Sequence, residues 1–180
     1  AVAAAGMQNE RLDSAGSKSY PYTRYLLNRL PGFIASKEKS PLQALLIADA
    51  NPLYTMPDSL AVKKAFDKIP FIVSFASYMD ETAQYADLIL PNHVYLERYE
   101  DIPTPIGLQK PMISLARPVV KPQFNTKHLG DTIMQIARAL GGSIADAFPW
   151  SSYQACLEVT LGDKWETLHA KGFWLDQNFK

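Results

Sequence analysis

The stretch Ala44-Leu45-Leu46-Ile47-Ala48-Asp49-Ala50-Asn51-Pro52 decides the fold. Five apolar residues in a row, stopped by a polar turn, suit a strand buried on both faces, as in a parallel sheet. Beyond the turn, Pro57-Asp58 opens a helical stretch that runs to Lys68, with Leu60, Ala61, Ala65 and Phe66 inward. Proline and an acidic residue both suit a first helical turn. Phe71-Ile72-Val73-Ser74-Phe75 reads as a second buried strand, Glu81 to Tyr85 as a short helix, and Asp87-Leu88-Ile89-Leu90 as a third strand stopped by Pro91. This alternation predicts parallel βαβ units with right-handed crossovers.

The flanks are read from the same signals. Residues 1–19 are small and polar, a helix stub and a loop. Tyr22, Tyr25, Leu26 and Leu30 share helical spacing, which predicts a helix over Tyr20 to Leu30 ending at Pro31-Gly32. From Pro91 to Pro122, the recurrent prolines Pro103, Pro105, Pro111 and Pro118 predict extended loop with little regular structure. Leu129 to Leu140 is a helix with Leu129, Ile133, Ile136, Ala137 and Leu140 on one face, closed by Gly141-Gly142. Two further helical stretches fall at Tyr153 to Leu161 and Trp165 to Ala170. The expected organisation is a single α/β domain over residues 1–180. Its core lies at about 20–142, and 143–180 forms a helical exit segment.

Composition excludes several function classes. The 180 residues can bury a sizeable core, and 47% hydrophobic with 20% charged residues is an ordinary globular balance. Eighteen basic residues cancel eighteen acidic ones, so no basic excess points to nucleic acid or anionic lipid. No apolar run reaches the roughly 18 residues of a membrane helix. The one cysteine, Cys156, can form no internal disulfide and can ligate no iron–sulfur cluster alone, and it reads as a small buried residue. The Ala-rich opening lacks a basic and a long apolar region, so it is not a secretory signal, and the chain is expected to be cut from a longer polypeptide. His93, His128 and His169 lack metal-ligand spacing, and no catalytic metal or nucleophile motif is present. No glycine-rich phosphate loop is present either. Trp150, Trp165 and Trp174 read as core or interface anchors.

Ligands of open parallel sheets bind at the carboxyl ends of the strands. Two such ends carry polar side chains. After the first strand, Asn51 precedes a proline that holds it extended, and Thr55 lies just before a helix start. After the second, Ser74 and Thr82 flank an acidic helix start at Asp80-Glu81. The candidate cofactor-binding residues are therefore Asn51, Thr55, Ser74 and Thr82. The plainer alternative makes Asn51 a turn former and Asp80 and Glu81 helix caps. If Asn51 serves a ligand, Asn51→Ala should leave the core intact.

Two stretches, Ala44 to Phe66 and Glu81 to Asp101, carry a family resemblance. The ordered pieces are Asn51-Pro52, Pro57-Asp58, Glu81-Thr82-Ala83, Ala86-Asp87, Leu90-Pro91 and Glu97, with Gly130-Asp131 and Pro149-Trp150 further on. Together they resemble molybdopterin oxidoreductases of the dimethyl sulfoxide reductase superfamily over roughly Leu42 to Trp174. The resemblance implies the third, Rossmann-like domain of such an enzyme: three-layer α/β with a mostly parallel sheet, then a Pro-rich loop and C-terminal helices leading to a fourth domain. It also implies that the domain helps hold the guanosine part of a bis(molybdopterin guanine dinucleotide) cofactor with molybdenum. Catalytic residues and metal ligands would lie in other domains, so the isolated chain is expected to be inactive. The implied partners are the remaining domains of the parent chain, an iron–sulfur subunit and a membrane subunit. One departure stands out. Members commonly carry Gln-Asp at the end of the second strand, where this chain has Phe75-Ala76. That resembles subunits of membrane quinone-linked complexes, which commonly face the periplasm. The alternative is therefore a cofactor-free structural or electron-transfer scaffold.

Overall fold

Two small sheets of opposite character organise the chain. The computed structural model describes residues 11–179 apart from Arg24 and Ile106, so the first ten residues of the expected N-terminal stub lie outside the described residues. Backbone contacts divide the chain into two compact units, residues 1–89 and 90–180.

In the first unit the order is α1 (Leu30–Ser36), β1 (Leu45–Ile47), α2 (Pro52–Thr55), α3 (Ser59–Phe66), β2 (Ile72–Ser74), α4 (Glu81–Tyr85) and β3 (Leu88–Ile89). The sheet runs β1-β2-β3 and is parallel throughout, with Leu46 opposite Val73 and Val73 opposite Leu88. The three apolar runs thus form the expected parallel sheet. Ile34 of α1, Val62, Ala65 and Phe66 of α3, and Ile47, Ile69 and Ile72 form one buried cluster. Asp58 caps α3 by accepting the Ala61 N–H at 2.8 Å.

Local details depart from the sequence pattern. Pro31-Gly32 does not end a helix; Pro31 lies in the first turn of α1, where its missing N–H costs nothing. The inward stripe of α3 is Val62-Ala65-Phe66, and Leu60 is exposed. β1 is buried on one face only: Leu45 and Ile47 join the core while Leu46 stays exposed. Upstream, the buried Asp13 orders the segment before α1. It takes the Arg11 guanidinium at 2.8 and 2.9 Å and the N–H groups of Ala15 and Leu26 at 3.1 and 2.9 Å.

The second unit contains β4 (Glu100–Ile102), β5 (Met112–Ala116), α5 (Leu129–Leu140), α6 (Gly142–Asp146), α7 (Tyr153–Leu161), α8 (Trp165–Lys171) and β6 (Phe173–Leu175). Its sheet is antiparallel in the order β4-β5-β6. The Pro-rich stretch expected as loop therefore holds two strands. Its prolines bracket the strands rather than interrupt them, with Pro103 and Pro111 just outside the paired residues, so no ladder donor is lost. Leu115, Leu157, Leu161 and Leu168 form this unit's core, with Trp165 and Trp174 packed against it. α5 has the expected bounds, but Met134 and Ala137 are its buried residues, and Leu140 is exposed.

Candidate functional site

β1 and β2 deliver two loops to their carboxyl ends. After β1, Asp49 takes a left-handed backbone (φ 46°), a conformation that aspartate tolerates better than most side chains. Asn51 follows, non-helical ahead of Pro52, which opens α2. After β2, residues 75–80 lead into α4, whose first turn is capped by Asp80 accepting the Ala83 N–H at 2.7 Å.

The Asn51 side chain bridges the two loops. Its Nδ2 donates to Glu81 Oε2 at 2.7 Å, and its Oδ1 accepts the Thr82 hydroxyl at 2.7 Å. Thr82 Oγ1 in turn accepts the Leu53 N–H at 3.1 Å, and Thr82 is wholly buried. The Thr55 hydroxyl donates to the Asn51 carbonyl at 2.9 Å. Of the four candidates, Asn51, Thr55 and Thr82 are thus brought together. Ser74 stands apart: it is buried in β2, and its Oγ accepts the Ala76 N–H at 3.3 Å. Glu81, which the sequence offers only as a possible cap, joins the cluster as an exposed carboxylate, and Thr55 is exposed as well. The Asn51 amide holds its carboxyl below the usual range, helped by its own backbone N–H and opposed by a little burial.

The exit of β2 is apolar. Phe75 is 1% exposed and Ala76 is 8% exposed. Outside them, Tyr54, Tyr78 and Met79 are exposed at the same strand ends. Thr55 also borders an apolar hollow of about 350 Å³ that includes Ala48, Ala50, Pro52 and Met56. Guanine presents donors on its pairing edge, which need an acceptor such as a carboxylate. Phe75 and Ala76 offer no such side chain, and the Asn51 and Thr82 side chains are committed to each other. The β2 exit therefore supplies no side-chain acceptor for a guanine edge, and the carboxylate exposed at this face is that of Glu81.

Two other acidic residues of the sequence pattern hold backbone. Asp87 Oδ2 accepts the Ile72 N–H at 2.7 Å while its own N–H donates to the Ile72 carbonyl at 2.9 Å, which fixes the register of β3 on β2. Glu97 accepts the N–H groups of Val94 and Gln123 at 3.3 and 3.0 Å. Among the described residues, no group of three or more His, Cys, Asp or Glu side chains is placed to hold a metal ion. No described helix is long and apolar enough to cross a membrane.

Comparison with known proteins agrees with this architecture. A family model described as molybdopterin oxidoreductase matches residues 26–141. The menaquinone reductase molybdopterin-binding-like subunit of Nitratidesulfovibrio vulgaris is 42% identical over 125 residues, covering 69% of this chain and 17% of that protein. The thiosulfate reductase molybdopterin-containing subunit of Salmonella typhimurium is 29% identical over 114 residues, covering 63% of this chain and 15% of that protein. The assimilatory nitrate reductase catalytic subunit of Bacillus subtilis is 33% identical over 100 residues, covering 56% and 14%. The matched parts thus span 14% to 17% of the length of these curated relatives. Acetylene hydratase from Pelobacter acetylenicus superposes with a TM-score of 0.67 at 22% identity, over 81% of this chain and 20% of its own, a likeness of fold.

Proposed function

Since the chain belongs to the molybdopterin oxidoreductase family, we propose that it is an interior, non-catalytic domain of a larger oxidoreductase subunit. We further propose that its strand-end face is a structural scaffold and does not grip the guanosine end of a pterin dinucleotide. The observation that carries this reading is the exit of β2. Phe75 and Ala76 are buried and apolar there, and a polar base edge set against them would lose the hydrogen bonds it makes in water. The Asn51–Thr82 pair supports the same reading, because those two side chains are bonded to each other in joining two loops. Both units belong to this one domain, and the rest of the parent chain, an iron–sulfur subunit and a membrane subunit are its partners.

A second reading keeps the cofactor role. It is favoured by the exposed Glu81 carboxylate and by the exposed Thr55 at the end of α2. Asn51, Thr55, Ser74 and Thr82 would then lie near the guanosine part of the molybdenum cofactor. Metal and pterin analysis of the purified parent subunit separates the two. Neither molybdenum nor a releasable guanine nucleotide is expected. A stoichiometric amount of both overturns the scaffold reading.

A further inference from the structure

In the second unit one imidazole lies between the start of α5 and the start of α7. His128 precedes α5, and its Nδ1 accepts the Gly130 N–H at 3.0 Å. A ring nitrogen that accepts carries no proton, so this cap requires the neutral imidazole with its proton on Nε2. The ring is stacked on Tyr153, with centroids 4.3 Å apart and planes at 22°. Gly130 approaches the same tyrosine so closely that a Cβ there would fall 2.6 Å from its ring. Tyr153 is itself held at both ends: its N–H donates to Asp131 Oδ1 at 2.6 Å and its hydroxyl to Asp101 Oδ1 at 2.7 Å. His128, Asp131 and Tyr153 line a cleft of about 190 Å³ together with His93, Glu97 and Arg98.

We propose that His128 is an acid-sensitive clasp, in which the neutral imidazole holds the first turn of α5 against α7 and the imidazolium, having no acceptor, releases it. The groups that face the ring pull in both directions. Asp131 on α5 and the Tyr99 carbonyl before β4 favour the imidazolium, while Arg98 and His93 from the segment after β3 oppose it. Arg98 also pairs with Glu100, and the acidic Glu97 and Asp101 are engaged by backbone N–H groups and by Tyr153. The largest influence is burial, which sets the His128 pKa below the ordinary histidine value. A depressed folded pKa means the clasp is complete above the unfolded value of about 6.5 and is lost as pH falls toward the folded one. The Leu129 N–H is held separately by Asn92 Oδ1 at 2.9 Å and the Tyr153 N–H by Asp131 Oδ1 at 2.6 Å, so release is confined to the Gly130 cap and the stack of the ring on Tyr153.

Amide hydrogen exchange of the whole chain between pH 7.5 and 5.0, corrected for intrinsic rates, tests the clasp. Protection over residues 128–134 should fall about fivefold in the wild type, the loss typical of one helix cap. It should stay level in His128→Asn, whose amide oxygen caps without titrating. A flat wild-type profile, or the same fall in His128→Asn, overturns the proposal. Nitrogen NMR of the wild-type imidazole is an independent check on the ground state. An unprotonated Nδ1 at pH 7.5 is expected, and a protonated Nδ1 overturns the clasp without any variant being made.

Discussion

Thr82 donates its hydroxyl hydrogen to the side-chain oxygen of Asn51, 31 residues earlier, at 2.7 Å. The two residues close the gap between the β1 and β2 loops, so each should be worth more to folding than an isolated surface turn residue. Thr82→Val keeps the shape but leaves the Leu53 N–H and Asn51 Oδ1 without their partner. A loss of about 1–3 kcal/mol is expected. Asn51→Ala should cost about 1 kcal/mol. Denaturant unfolding of both variants and the double variant reads the coupling. The double loss should be at least about 0.5 kcal/mol smaller than the sum, and strict additivity would mean the pair does not act as one clamp.

Asp13 supplies an acid-sensitive anchor in the first unit. The Arg11 guanidinium, then the backbone N–H groups of Leu26 and Ala15, hold its carboxyl well below the usual carboxylate range against the cost of burial. Its contribution is therefore fully present above the unfolded value of about 3.9 and is lost as pH falls further, toward the folded one. Asp13→Asn should lower stability at pH 7 by about 2 kcal/mol, since charge-assisted bonds are replaced by weaker ones. The difference between wild type and variant should shrink on acidification to pH 3. A constant gap across that range would show that the carboxylate charge is irrelevant to the anchor.

Gly130→Ala should destabilise, although alanine is the better helix former by roughly 1 kcal/mol. The new methyl would meet Tyr153 Cδ2, Cγ and Cβ at 2.6, 2.9 and 3.0 Å, atoms at the base of the ring that have little room to give. A net loss of about 1–3 kcal/mol is expected from overpacking. In a Tyr153→Ala background the same substitution should become stabilising, because the clash is gone and the propensity gain remains. Thermal denaturation of the four proteins decides it, and a loss that persists without the tyrosine would place the cause elsewhere.

Much of the parallel sheet was legible in the sequence because Leu45–Ile47, Ile72–Ser74 and Leu88–Ile89 sit inside apolar runs separated by helical spacing. Helix starts marked by Asp58 and Asp80 were legible for the same local reason: a short acidic side chain placed to take the N–H three residues on. What escaped was non-local. The pairing of Asn51 with Glu81 joins residues 30 apart, and no window contains both. β4 and β5 hid in a Pro-rich stretch because a proline just outside a strand looks, residue by residue, like a proline that breaks one. Pro31 looks like a stop in the sequence while its position makes it a start, a distinction that depends on which side of it the helix hydrogen bonds lie.

The second sheet also sets the order in which its unit can form. β5 is paired on one side by β4, which precedes it closely, and on the other by β6, which follows α5 to α8. The β4–β5 ladder can zip early, but Met112 can meet Leu175 only after the whole chain between them has been made. High-contact-order pairings of this kind slow folding. During synthesis the outer edge of β5 therefore stays open until residue 175 has cleared the ribosome, and in that interval it is the stretch of this unit most exposed to pairing with the wrong strand.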